Sequence, residues 1–411
     1  MIGDELLDAQ VQRAIMGEVA GAADPVECRA VASRIGGVDL DRWYDEWWAA
    51  AKAAVREGEQ ALSIGDRDAA RQAFLRASTS FRTAGVMLFG APVDDRLVAS
   101  NREQTEAFRR GAELLPRPPQ IVEIPYDDTT LPGYWFDPSA DARGPMPGPV
   151  IVLTGGYDGT AEELYSFTGA AALERGYRVL CFDGPGQGAA LLQQGLVLRP
   201  DWENVVAPVI DWLIQQPATD PDRIALIGLS LGGYLAPRAA SAEHRLAACA
   251  ADCGSFDLYA SATERIPGPL VAGLNPSNRV RRWLLGKALD ALATKPTAGW
   301  ALRRGQLVHG AASPLDYLGS LEPYSLKDRA PEIACPTFVN NAEDDDIGST
   351  APKLAAALSA PHEFVTFTRS DGAGDHCEVG NRRRYHDRLF AWLDPILNPT
   401  STSTSTTASP S

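Results

Sequence analysis

The chain has 411 residues, 45% hydrophobic content and a formal net charge of −15. That length allows one large α/β domain with additions, or two domains. The acidic balance reads as a solvated surface and argues against nucleic acid or an anionic membrane as a partner.

The amino terminus, Met1-Ile2-Gly3-Asp4-Glu5, is acidic, with no basic stretch leading into an apolar one. No signal peptide is therefore expected. No apolar run reaches the length of about 18 residues that a membrane helix needs. The six cysteines, Cys28, Cys181, Cys249, Cys253, Cys335 and Cys377, are scattered, several in or beside predicted strands. Reduced, buried thiols in a cytoplasmic protein fit this usage. Cys249 and Cys253 alone do not make a zinc site, because no second pair accompanies them.

Residues 1–118 read as a helical, cap-associated region. Alanine-rich stretches at 47–60 and 67–88 repeat apolar positions at helical spacing, with Gly65-Asp66 between them. One helix pair is no repeat array. From residue 119 the period changes. Strands are expected at 120–124 and 133–136, then at 150–153 after a Pro/Gly-rich link at 144–149. Strands at 178–182, 224–227 and 247–251 follow, with helices at 204–216 and 231–242. Such alternation predicts an α/β fold with a mostly parallel central sheet covered by helices. Residues 255–330 interrupt the rhythm, with helices expected at 279–292 and 298–308, and read as a helical lid inserted into the core. The core resumes at 331–398 with strands at 336–340 and 363–367 and a helix at 382–393. The Ser/Thr-rich segment 399–411 is expected to be disordered.

The chemistry centres on Gly228-Leu229-Ser230-Leu231-Gly232. A buried strand that breaks into G-x-S-x-G and enters a helix is a nucleophile elbow, which pushes the serine hydroxyl out of the sheet. A serine nucleophile needs a base, a carboxylate that orients it and an oxyanion hole. In this fold class the partners follow in the order serine, acid, histidine. His376 is the expected base, in the small-residue loop Asp371-Gly372-Ala373-Gly374-Asp375-His376-Cys377; His386 is the alternative, and His362 begins a strand. The acid is expected in Ala342-Glu343-Asp344-Asp345-Asp346, with Asp345 favoured and Asp344 and Asp346 behind it. The Leu231 amide supplies one oxyanion donor, and Gly156 or Tyr157, in Thr154-Gly155-Gly156-Tyr157-Asp158, the other. Phe182-Asp183-Gly184-Pro185-Gly186-Gln187-Gly188 reads as a shaped turn near the site, with no lysine and no helix directly after it, and so not as a phosphate cradle.

The runs Leu153 to Glu163, Phe182 to Gly188 and Gly228 to Gly233 together resemble the 2,6-dihydroxypseudooxynicotine hydrolase group, α/β-hydrolases that include fungal hydrolases shortening polyketides. The resemblance covers most of the chain. It implies hydrolysis of a C–C bond in a 1,3-dicarbonyl attached to an aromatic ring, without metal or organic cofactor, with kinship to esterases. It also implies that an acid near the oxyanion loop assists: Asp158, Glu162 or Glu163. Glu162 and Glu163 equally suit a first helical turn, where acids complement the dipole. Ala342 stands where the group commonly has glycine, and Tyr157-Asp158 also departs from the pattern; both leave the triad intact. A small-molecule substrate is the expected partner. Three functions stay open: C–C hydrolase, carboxylesterase, thioesterase or amidase with the same triad, and non-hydrolytic cyclase. The helical amino-terminal region either forms a homodimer surface or covers the sheet.

Overall fold

The computed structural model describes residues 2–139, 146–264, 266–275 and 277–397. Within them, eight strands form one sheet: β1 (Gln120–Tyr126), β2 (Thr129–Phe136), β3 (Gly148–Thr154), β4 (Arg178–Phe182), β5 (Thr219–Leu229), β6 (Ala248–Asp252), β7 (Thr337–Ala342) and β8 (His362–Phe367). Their order is β1-β2-β4-β3-β5-β6-β7-β8. β1 and β2 are antiparallel, β2 runs antiparallel to β4, and all other pairs are parallel. The expected strand at 224–227 is longer, because its lead-in from Thr219 pairs with Gly148 across a register shift.

The central strands are apolar on both faces, as a sheet covered on both sides requires. Along β3, Val150 and Val152 join one core while Ile151 and Leu153 join the other. β5 repeats the division, with Ile224 and Leu226 against Ala225 and Ile227. The first face is packed by the helices Glu203–Leu213 and Gly232–Ala240, the second by Arg382–Leu397 through Tyr385, Leu389, Phe390 and Leu393.

Ahead of the sheet lie five α-helices, Glu5–Met16, Pro25–Ile35, Leu40–Ser63, Arg67–Gly85 and Asp95–Ala112. Each starts on an aspartate, Asp4, Asp24, Asp39, Asp66 and Asp94, whose carboxylate accepts a first-turn amide. Between β6 and β7 the described residues form helices Leu258–Thr263, Gly268–Val271, Arg279–Ala293, Trp300–His309 and Pro314–Ser320. The insertion has its own apolar cluster, including Leu285, Leu289 and Leu318. Yet Trp300 leaves it to join Trp43 and Trp47 in the amino-terminal cluster, and its indole N–H donates to the Val86 carbonyl at 2.8 Å. The two helical units therefore share a core. The segment 399–411 and residues 144 and 145 of the link lie outside the described residues. No helix among those described is long and apolar enough to cross a membrane.

Candidate active site

β5 ends at Leu229, and Ser230 takes a left-handed backbone conformation with φ 59°. A side chain rarely tolerates that region, so the surroundings must enforce it. The Ser230 amide donates to the Asp252 carbonyl at 3.1 Å, and its carbonyl accepts the Gly233 amide at 2.8 Å. The glycines are needed for closeness: a Cβ on Gly232 would stand 2.7 Å from the Thr154 carbonyl oxygen.

β8 leads into the loop carrying His376, and β7 into the loop carrying Asp345. His376 Nε2 lies 2.9 Å from Ser230 Oγ and its Nδ1 2.8 Å from Asp345 Oδ2. Those separations assign Nδ1–H as donor to the carboxylate and Nε2 as acceptor of the serine proton. Asp345 Oδ1 accepts the Ile347 amide at 2.8 Å. Burial pushes the Asp345 carboxyl up, but His376 and the Ile347 amide outweigh it and hold it below the usual range. Burial disfavours the His376 imidazolium, but the Cys377 sulfur and the Asp345 carboxylate outweigh it and raise its basicity well above that of an ordinary histidine.

The alternatives lie elsewhere. Asp344 pairs with Arg369, and Asp346 is exposed. His386 is buried against the Phe167 carbonyl at 2.6 Å, and burial lowers its pKa to about 3. His362 is exposed on β8.

Gly156 packs directly on Ser230. A Cβ there would fall 2.8 Å from Ser230 Cβ and 3.1 Å from the Leu231 amide nitrogen. The Tyr157 side chain turns to the insertion: its hydroxyl lies 3.2 Å from Tyr317 Oη and 3.1 Å from His309 Nε2. The turn after β4 holds this loop. Gln187 donates to the Gly155 carbonyl at 2.7 Å, and Asp183 accepts the Ala161 and Ala189 amides at 2.7 and 2.8 Å. A short helix, Gly188–Leu192, does follow that turn directly, contrary to the sequence reading; Asp183, not a ligand, accepts its Ala189 amide.

The three acids separate. Glu162 accepts from Thr105 and Tyr134, both at 2.8 Å, in a seam away from Ser230. Asp158 and Glu163 line the cavity at Ser230, but in ion pairs. Asp158 meets Arg13 at 2.9 Å, Arg82 at 3.0 Å and Arg304 at 3.1 Å. Glu163 meets Arg13 at 2.6 Å. Burial raises the Asp158 carboxyl, but the three guanidinium groups reverse this and hold it far below the carboxylate range. Asp158 is thus an acceptor already occupied, unlike the free acid that proton transfer would use.

Sequence reasoning missed the residues that hold the histidine loop. Cys377 and Glu378 have φ of 53° and 49°. The buried Arg382 donates to the Cys377 carbonyl at 3.0 Å and pairs with Asp252 at 2.6 Å and Glu378 at 3.1 Å. Asn340 on β7 donates to both acids. Cys249 and Cys253, close in sequence, belong to opposite faces of the sheet.

A serine raised on a strand-to-helix turn, met by a histidine and an acid from later strands, defines the α/β-hydrolase class. Residues 150–381 match the Alpha/beta hydrolase family and residues 19–263 the Esterase FrsA-like family. The chain belongs to the alpha/beta hydrolase family. It is 34% identical to hydrolase acrC of Aspergillus aculeatus, over 93% of this chain and 94% of that protein. It is 36% identical to the 20-hydroxy-prefusarin hydrolase FUS2 of Gibberella moniliformis, over 90% of this chain and 92% of that protein. Among solved structures, the 2,6-dihydroxy-pseudo-oxynicotine hydrolase superposes with a TM-score of 0.72 at 23% identity, covering 94% of this chain and 95% of that one. That likeness bears on the fold.

Proposed function

We propose that the protein is a serine hydrolase that cleaves a C–C bond in an aromatic or polyketide-type 1,3-dicarbonyl. The observation that carries the serine-hydrolase part of this reading is the line Ser230, His376, Asp345, linked at 2.9 and 2.8 Å, with the Gly156 backbone against Ser230. In this mechanism Ser230 Oγ attacks one carbonyl carbon while His376 Nε2 takes the hydroxyl proton, and Asp345 stabilises the imidazolium. The amides of Leu231 and of Gly156 or Tyr157 receive the oxyanion. Collapse breaks the bond to the central carbon, whose electron pair becomes an enolate on the second carbonyl. His376 returns its proton to that fragment, which leaves as a ketone. A water, deprotonated by His376, then releases the acid from the acyl-serine. A second carbonyl is what makes the carbon leaving group acceptable.

The cavity at Ser230 holds about 40 Å³, lined by Arg13, Gly156, Asp158, Phe167, His376 and Cys377 among others. A ring-bearing diketone is larger, so binding requires these walls to part. The match to the Esterase FrsA-like family favours a second reading, ester hydrolysis by the same residues. A panel of aryl 1,3-diketones, aryl esters and thioesters separates the two. The C–C reading expects diketone cleavage with kcat/KM above that of the esters; rapid ester turnover with the diketone untouched would overturn it.

A further inference from the structure

We propose that Cys253, His376 and Cys377 form a binding site for a soft divalent cation, zinc in the first place, and that the bound ion switches hydrolysis off. The two thiol sulfurs and a ring nitrogen of His376 all lie within 4.8 Å of one another. Cys377 Sγ stands 3.6 Å from His376 Nε2. With Zn–S of about 2.3 Å and Zn–N of about 2.0–2.1 Å, tetrahedral geometry sets a nitrogen-to-sulfur separation of about 3.6 Å. That edge of the ligand set is already at its coordinated length.

Three further observations support the site. The Cys377 amide donates to Cys253 Sγ at 3.0 Å, an interaction that steadies a thiolate ligand. Both cysteines occupy left-handed backbone positions, with φ of 62° and 53°, in loops that follow separate strands, β6 and β8. Cys377 lines the Ser230 cavity and the His376 side chain is 33% exposed, so an ion reaches these two ligands by the way a substrate would, while Cys253 is fully buried.

Zinc would displace one proton from each thiol to solvent, and the two thiolates would neutralise its charge, leaving an uncharged buried complex. His376 would give the ion the Nε2 lone pair with which it now accepts from Ser230. Ser230 Oγ, 2.9 Å from that nitrogen, would lose this acceptor. Inhibition follows because the base is occupied; this consequence, unlike the binding itself, rests on the hydrolase reading above.

The test uses the reduced full-length protein and metal ion alone. Cobalt(II) should bind one ion per chain with thiolate charge-transfer absorption, and zinc should displace it. Zinc should also abolish turnover reversibly by chelator. Cys253→Ala and Cys377→Ser, each checked by thermal unfolding, should weaken cobalt binding at least about 100-fold. Cys249→Ser, on the opposite sheet face, should bind as the parent does. Thiolate absorption that persists in both Cys253→Ala and Cys377→Ser, or that is lacking in the parent, would overturn the site. Full turnover by the zinc-loaded parent would overturn the inhibition. Metal binding by a protein that hydrolyses no substrate in the panel would support the site and count against the hydrolase reading alone.

Discussion

Ser230 combines two roles whose demands conflict. Its hydroxyl is presented to His376 because its backbone is held at φ 59°, a conformation that costs a non-glycine residue about 1–2 kcal/mol. Ser230→Gly should therefore be more stable than Ser230→Ala by about 1 kcal/mol, read from urea midpoints, while both lack turnover. Equal midpoints would show that the elbow is unstrained. The residues of this site differ in how far the sequence discloses them. Ser230, His376 and Asp345 sit in loops whose glycines and neighbouring strands mark them locally. Asp345 stands out from its acidic neighbours in space, since it alone turns inward to His376 while Asp344 meets Arg369. Asp158 reads from sequence only as one of three candidate assisting acids, because nothing local reveals that Arg13 lies against it from 145 residues away.

At the level of elements, the site is made by the carboxyl ends of β3, β5, β7 and β8, each delivering one loop to a common point. The loop after β3 owes its position to Gln187, which fastens the Gly155 carbonyl, and to the absence of a side chain at Gly156. Gly156 has an ordinary backbone conformation, so alanine could adopt it; only the new methyl, 2.8 Å from Ser230 Cβ, would be out of place. Gly156→Ala should lower kcat by about 10²–10³-fold, the scale of a lost oxyanion donor, without unfolding the protein. Steady-state kinetics and circular dichroism check this; unchanged kcat would remove the loop from the reaction. The strands were legible because two-sided burial leaves apolar runs such as Val150 to Leu153. The lead-in Thr219 to Arg223 was not, because its pairing with Gly148 involves no apolar pattern. The turn Phe182 to Gly188 was legible as a motif but not as a clamp, since its partners are backbone atoms of another loop.

Across the whole molecule, the amino-terminal helices, the loop after β3 and the insertion meet at Asp158. Arg13 and Arg82 reach it from the first unit and Arg304 from the last. Neutralising Asp158 leaves Arg13 and Arg82 to share Glu163 and takes from Arg304 its carboxylate, so Asp158→Asn should cost about 3–5 kcal/mol. Because the folded Asp158 carboxyl is depressed, its contribution is complete above the unfolded aspartate value of about 3.9 and is lost as pH falls toward the depressed one. Denaturant unfolding between pH 7 and 3 should show the parent losing stability with acid more steeply than Asp158→Asn; parallel curves would contradict the role given to the cluster. The contacts that join the three units were beyond sequence reading, because ion pairs and the Trp300 contact link residues far apart in the chain, whereas the order of helical region, sheet, insertion and sheet is read from changes in period.

The most direct test of the account is mass spectrometry of products from a phenolic aryl 1,3-diketone in ¹⁸O-water, with the parent and Ser230→Ala. The account predicts two fragments that together equal substrate plus water, with heavy oxygen in the acid fragment, formed by the parent and not by Ser230→Ala. Cleavage retained in Ser230→Ala would contradict it.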